Sequence, residues 1–297
     1  MPTVYLIDAS PYIFRAYYSI PTTMTTPDGS PSNAVYGYTE FLLQVLKQAG
    51  PTHLAVAFDG SLTTSFRNEI YPAYKAQRAL PPPKLKAQIG LCRQVTKALG
   101  MKSYIDDRFE SDDIIGTLVL ELLEQGSECV IVSSDKDFTQ LVNGRVTMWN
   151  FARDERYDAD AVCEKFGVQP AQIVDLLALM GDSVDNIPGV PGVGPKSACA
   201  LLNHFGNLSE IYRNLAAVEK LPIRGAQALQ AKLAAARDSA EMSRKLAAIA
   251  LDVPLSAELE SLRYAGACKE EVDTLFAALG FERIQERIPV WHDEFSQ

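Results

Sequence analysis

Carboxylates end the apolar runs of this chain in a pattern that can do chemistry. Asp8 follows VYLI, Asp59 follows LAVAF, and Asp135 and Asp137 follow VIVSS. Glu110, Asp112 and Asp113 stand where a polar stretch gives way to IIGTLVLELLEQ, and Asp182 and Asp185 follow LLALMG. Each acid alone reads as a helix cap or turn residue, and Asp112 or Asp113 suits a helix N-terminus whatever else it does. Together they pose an electrostatic problem. Carboxylates a few ångströms apart do not all stay ionised without cations. Hard divalent ions with oxygen-only ligands solve it. With no His or Cys in the set, two or more Mg²⁺ or Mn²⁺ ions are the expected partners. Such pairs activate water and stabilise the leaving oxygen in phosphodiester hydrolysis. A phosphatase using Asp8 as nucleophile needs a second carboxylate two residues on, where this chain has Ser10, so that reading is set aside.

Two further segments point to nucleic acid. In IPGVPGVGPKSACALL, spanning 187–202, Gly192 and Gly194 precede a helix that opens on Pro195-Lys196-Ser197. Glycines let backbone N–H groups approach a phosphate. The helix N-terminus adds its dipole, and Lys196 adds a cation. This reads as a helix–hairpin–helix for sequence-independent backbone contact; the alternative is a tight turn between packed helices. The second segment is a basic island. From Ser61 to Lys102 there are eight bases, among them Arg67, Lys75 and Arg78, and one acid, Glu69. Tyr71 and Tyr74 interleave, as suits a single strand with charges on phosphates and rings on bases; the alternative is a solvated helical face. Arg15, in PYIFRAYYS, is placed to clamp a phosphate or to pair with one of the acids.

The elements that must position these residues alternate. Strands are expected at Val4–Ile7, Leu54–Phe58, Cys129–Val132 and, as the last, Val146–Trp149. Helices are expected at Asn33–Gln48 and from Ser111 to Gly126, so the class is α/β with a parallel sheet. A parallel sheet gathers its strand C-termini on one edge, where open α/β folds place ligands. The acids that end strands or enter helices should therefore converge. After residue 155 the strand signal fades into helices at 159–166, 170–180, 195–204 and 208–217 and an Ala-rich stretch at about 225–250. The expected division is 1–180 and 181–297, with the polar, proline-broken segment at about 60–100 standing apart.

The chain has 297 residues, 37 Asp+Glu and 28 Lys+Arg, and a formal net charge of −9. That excludes a simple basic coating protein. Setting aside the nine carboxylates named above leaves 28 acids against 28 bases, so the whole −9 can be assigned to the site. No apolar run approaches the ~20 residues of a membrane span. The N-terminus lacks the features of a signal peptide. The five cysteines show neither a CxxC pair nor zinc spacing and are expected as reduced, mostly buried thiols of a cytoplasmic protein.

The motifs RAYYS, AFDG, FRNEIYPAYKAQR, ESDD, SSDKD and LLALMGDSVDNIPGVPGVGPKSA resemble the 5′-nuclease family. That family comprises the 5′→3′ exonuclease domain of bacterial DNA polymerase I and stand-alone flap endonucleases. The resemblance runs from Asp8 to about Phe281. It implies a PIN-like α/β domain with a helical arch over the active site, and a helix–three-turn–helix for duplex DNA. It places Asp8, Asp59, Glu110, Asp112 and Asp113 at a first metal site, and Asp135, Asp137, Asp182 and Asp185 at a second. Lys75 and Arg78 match arch residues at the scissile phosphate, and Tyr74 matches a base-stacking position. The hairpin at Gly192 and Gly194 resembles sites holding K⁺. In the family the arch carries acids after its prolines; here Lys84-Leu85-Lys86 follow Pro83. The implied activity is two-metal-ion hydrolysis of DNA at single-strand/duplex junctions, by a monomer acting on nucleoid DNA in replication and repair. Its substrates would be 5′ flaps, 5′ overhangs and nicks, including RNA primers in DNA. A non-catalytic junction binder would lack some of the acids, and none is missing. A ribonuclease of the wider PIN-like class fits the DNA-type hairpin less well.

Overall fold

The computed structural model describes residues 1–61, 64–223 and 225–292. Residues 62 and 63 of the expected 60–100 arch, and 293–297 of the expected C-terminal region, lie outside the described residues. Six strands, β1 (Thr3–Asp8), β2 (His53–Asp59), β3 (Lys102–Asp106), β4 (Glu128–Val132), β5 (Val146–Asn150) and β6 (Glu155–Tyr157), form one sheet in the order β3-β2-β1-β4-β5-β6. The first five are parallel, and β6 runs antiparallel to β5. The expectation that β5 is the last strand is corrected, and β3 was not foreseen. Both missed strands lie at sheet edges. The alternation of β3, KSYID, is mostly exposed, so neither carries the continuous apolar run of a strand buried on two faces.

Each sheet face has its own core. Ile7, Val56 and Phe58 pack with helices α1 (Ser10–Ser19), α2 (Asn33–Ala49), α4 (Pro83–Ala98) and α12 (Lys269–Leu279). On the other face Leu6, Ala55 and Ala57 pack with α5 (Ser111–Glu124), α7 (Ile173–Met180), α8 (Pro195–Phe205) and α11 (Arg237–Ala247). This second core is continuous across the expected boundary at 180/181, so the helical region is built onto the sheet domain rather than hung from it. Between these lie α3 (Phe66–Ile70), α6 (Ala159–Phe166), α9 (Leu208–Arg213) and α10 (Ala226–Ala235), with α13 (Glu282–Gln285) near the C-terminus. The Ala-rich stretch at about 225–250 is two helices, α10 and α11. The expected 208–217 helix is shorter as α9 and gives way to a 3₁₀ turn at Leu215–Lys220.

The largest departure is at 60–100. Pro83 does not break structure; it opens α4 at a position where its missing N–H costs nothing. Leu85, Gln88, Cys92 and Val95 are buried. The Gln88 side-chain Oε1 accepts the N–H groups of Ala34 (2.7 Å) and Val35 (3.3 Å), satisfying orphan donors in the first turn of α2. So α4 is a core helix whose outer face carries Lys84, Lys86 and Lys97. Of the expected arch, only the stretch before it, up to about residue 80, lies against the acids. All five cysteines are free; Cys92 and Cys129 are buried, and the other three are half-buried rather than buried. No described helix is long and apolar enough to cross a membrane.

Candidate active site

The parallel sheet delivers the acids as its topology requires. Asp8 and Asp59 end the adjacent strands β1 and β2, and Asp135 and Asp137 follow β4. Glu110, Asp112 and Asp113 enter α5, and Asp182 and Asp185 leave α7. Asp8 is 2% exposed; its two carboxylate oxygens accept Ser111 Oγ (3.1 Å) and Ser133 Oγ (2.8 Å). Asp59 accepts Ser111 N at 2.9 Å and the Ser10 hydroxyl. These three serines orient the carboxylates and were not singled out from sequence. Ser133 lies beside the SSDKD motif, and Ser10 was read only as a missing acid.

Burial, reinforced by the charges of Asp59 and Asp135, pushes the Asp8 carboxyl up to about 8. Burial raises Asp112 well above the carboxylate range, with Asp135 and Asp8 adding to it. It raises Asp135, where Asp185 contributes, and Asp137, where Asp135 and Asp185 contribute. These acids therefore feel one another as a single field, across both expected metal sites. Asp137 Oδ1 is buried without a hydrogen-bond partner.

The protein's own cations partly offset that field. Lys75 Nζ donates to both Glu110 oxygens at 2.9 Å and lies 3.6 Å from Asp185 Oδ2. Arg78 pairs with Asp185, and Lys136 pairs with Asp182 Oδ2. Lys136, inside SSDKD, was also missed. Among the described residues no three acid, His or Cys side chains are drawn together as a finished metal-binding group; Glu110, Asp185 and Asp182 are paired with Lys75, Arg78 and Lys136. The donor set nonetheless fits hard divalent cations: oxygen only, buried, mutually repelling, with one carboxylate oxygen unpartnered.

The turn carrying Lys75 is clasped to the loop carrying Asp182 and Asp185. Lys75 N donates to Asp185 O at 3.0 Å, Asn186 Nδ2 to Ala73 O at 2.6 Å, and Gln77 Nε2 to Ser183 O and Val184 O at 3.0 Å. Lys75 itself sits in the left-handed region at φ 53°, a conformation costing an L-residue about 1–2 kcal/mol. The clasp holds it there and points its ammonium at Glu110. The 182–187 loop is closed by paired backbone bonds between Asp182 and Ile187, 2.8 and 2.9 Å.

Three expected roles are corrected. Arg67 does not face DNA: it is 2% exposed. Its Nη1 and Nη2 donate to Asp113 at 2.8 and 2.7 Å, Nη1 also to Glu110 at 3.4 Å, Nε to Leu246 O and Nη2 to Ala248 O, both at 2.8 Å. All five donors are used. Asp113 is not free to hold a metal: it is fully buried and also accepts Glu110 N (3.1 Å) and Ala250 N (2.8 Å). Tyr74 cannot stack on a base: its ring is 4% exposed in the core, and its hydroxyl reaches Glu110 Oε2 (3.1 Å) and Asp185 Oδ2 (3.3 Å). Within the basic island, Arg67 and Tyr74 of FRNEIYPAYK point inward.

The other expected contacts remain at the surface. Arg15 is exposed on α1, makes no ion pair among the described residues, and lines a small cleft with Glu40 and Phe151. Val190 and Val193 anchor the 187–194 hairpin in the core, leaving Gly192, Gly194 and Lys196 exposed, with Ser197 half-buried in the first turn of α8. Gly181 and Gly189 pack so closely that a Cβ on Gly189 would lie 2.3 Å from Gly181 N. Lys232 Nζ donates to Gly192 O at 3.1 Å.

An acid-lined C-terminal sheet edge beside a helical hairpin is the layout of a nuclease that grips its substrate by the backbone. The chain belongs to the 5′-3′ exonuclease family: the N-terminal resolvase-like domain of that family matches residues 3–167 and its C-terminal SAM fold matches residues 168–270. It is 40% identical over 287 residues to DNA polymerase I of Bacillus caldotenax, covering 95% of this chain and 32% of that one. It is 42% identical over 278 residues to DNA polymerase I of Pseudomonas aeruginosa, covering 93% and 30%. The chain thus spans about a third of the length of these relatives. Its fold is similar to T5 5′-exonuclease solved with zinc ions, with a TM-score of 0.66, 21% identity and coverage of 96% and 98%. It is also similar to the catalytic core of Rad2 in complex with DNA substrate, with a TM-score of 0.60, 16% identity and coverage of 96% and 91%.

Proposed function

We propose that this chain hydrolyses DNA phosphodiesters near 5′ ends at single-strand/duplex junctions, as a 5′→3′ exonuclease and flap endonuclease. The observation that carries it is the acid edge spanned by Lys75 and Arg78: buried, mutually repelling carboxylates with a half-buried lysine and an exposed arginine beside them. Asp8, Asp59, Glu110 and Asp112 would hold one divalent ion, and Asp135, Asp137, Asp182 and Asp185 a second, Mg²⁺ or Mn²⁺. When bound, the ions supply an activated water and stabilise the charge of the transition state. Ser10, Ser111 and Ser133 keep the Asp8 and Asp59 carboxylates in place. Lys75 and Arg78, tied to Glu110 and Asp185 without substrate, turn to the scissile phosphate and stabilise its developing charge. Arg15 takes a neighbouring phosphate. The hairpin holds the duplex through the N-terminus of α8, Lys196 and Ser197. A K⁺ ion at Gly192 enters this reading only with Lys232 displaced, because the lysine ammonium already sits on that carbonyl. RNA primers in DNA flaps belong to the same substrate class. The working form is a monomer on nucleoid DNA in the cytoplasm.

A 5′-flap duplex labelled at each end tests the proposal with Mg²⁺, with EDTA, and with the Asp182→Ala variant. Cleavage at the junction is expected only for the parent protein with metal, and its affinity for duplex should fall steeply with salt. Undiminished cleavage in EDTA or by the variant would overturn the reading.

A further inference from the structure

A cleft of about 770 Å³ opens between α7, α9 and α11, on residues that take no part in the acid edge. It is within the ~300–1,000 Å³ of small-molecule sites. Val174, Leu208 and Ile249 give it an apolar floor, and Tyr212 forms an aromatic wall. Tyr212 is 9% exposed, and its hydroxyl is buried with no hydrogen-bond partner, which is uncommon in a folded protein.

The charge around the mouth decides what the cleft accepts. Arg213, Arg237, Arg244 and Lys245 face Asp175 and Glu241 across it. The acids are already matched: Asp175 accepts Arg244 Nε at 2.7 Å and Leu208 N at 2.9 Å, and Glu241 accepts Arg237 Nε at 3.2 Å. Arg213 pairs outside the cleft with Glu210. Lys245 makes no ion pair among the described residues. The site is therefore short of one negative charge. Arg237 also lies over the Tyr212 ring, 5.2 Å from its centre, so a cation and an aromatic face already meet here.

We infer that this cleft binds a nucleotide 5′-phosphate, with the base against the apolar floor and Tyr212, and the phosphate at Lys245. The flat base lies on the apolar floor beside the Arg237–Tyr212 pair, and the phosphate supplies the missing charge. The nucleotide comes either as a free mononucleotide or as the end of a strand. The inference does not depend on the nuclease reading.

Calorimetric titration of the whole chain in EDTA tests it, using 2′-deoxyadenosine 5′-monophosphate, a 5′-phosphorylated tetranucleotide, deoxyadenosine and inorganic phosphate. Either nucleotide should bind, and the tighter of the two names the source. Deoxyadenosine should bind about tenfold more weakly, as should the monophosphate to Lys245→Ala. Ser209→Trp, at the exposed mouth, should abolish binding without unfolding the protein. Absence of nucleotide binding at millimolar concentration, binding untouched by both Lys245→Ala and Ser209→Trp, or inorganic phosphate binding as tightly as the nucleotide would each overturn the inference.

Discussion

Two cation–carboxylate assemblies sit side by side in this molecule and have opposite fates. Arg67 and Asp113 come from the same two motifs as Lys75 and Glu110, only eight and three residues away. The Arg67 and Asp113 side chains are 3% and 0% exposed, with every donor and acceptor used. Lys75 and Arg78 are 20% and 45% exposed, and their partners Glu110 and Asp185 keep an open side. The first pair staples α3 to the start of α5, to the last turn of α11 and to the chain just after it. The second can let go of its partners when a phosphate and metal ions arrive. Sequence pattern put Arg67 with Lys75 as basic contacts and Asp113 with Glu110 as metal ligands; burial separates structure from chemistry.

The largest effect should come from breaking the staple. Arg67→Met leaves the Asp113 charge buried and unpaired, which costs about 3–5 kcal/mol. Urea denaturation should show a loss of that size, and the double variant Arg67→Met/Asp113→Leu should recover most of it. A double variant no more stable than the single would show that the pair does more than satisfy itself.

Next, Lys75→Ala should lower single-turnover cleavage about a hundredfold, the effect of removing one donor to a transition-state charge. Duplex affinity should change far less. Equal losses in both would make Lys75 a binding residue like Lys196 and blur the contrast with Arg67.

A smaller effect is expected from pH without metal. The folded protein holds the Asp8 proton up to about 8, against an ordinary 3.8. The folded state therefore binds that proton more tightly than the unfolded chain. Its stabilising contribution is complete below 3.8, declines as pH rises between the two values, and is lost above about 8. Mg²⁺ should thus raise the Tm of the protein more at about pH 8 than at about pH 5, because protonated acids bind it poorly. An equal rise at both would show that the raised acids do not hold the ion.

The smallest change is at the hairpin. Gly192 has φ +75°, so Gly192→Ala should cost about 1 kcal/mol of stability. Its Cβ would lie 2.7 Å from Lys232 Nζ, which moves aside easily. Duplex binding should weaken while cleavage of bound substrate is unchanged; a loss of cleavage at saturating duplex would tie the hairpin to the chemistry.

The sequence by itself determined the interior strands, the gathering of acids at one edge, and the hairpin. The physical reason is local: continuous apolar runs make buried parallel strands, chain direction fixes which ends share an edge, and glycine with proline marks a turn before a helix. It did not reveal the edge strands β3 and β6, whose half-exposed residues carry little apolar signal. Nor did it show that α4 is a core helix, because Leu85, Gln88, Cys92 and Val95 are spread among lysines. Which members of FRNEIYPAYKAQR and ESDD turn inward depends on what lies opposite: the carbonyls of Leu246 and Ala248, about 180 residues later in the chain. Residue types supplied the charges, and only the packed tertiary structure decided which of them are enclosed and spent on each other, and which remain exposed to meet a substrate.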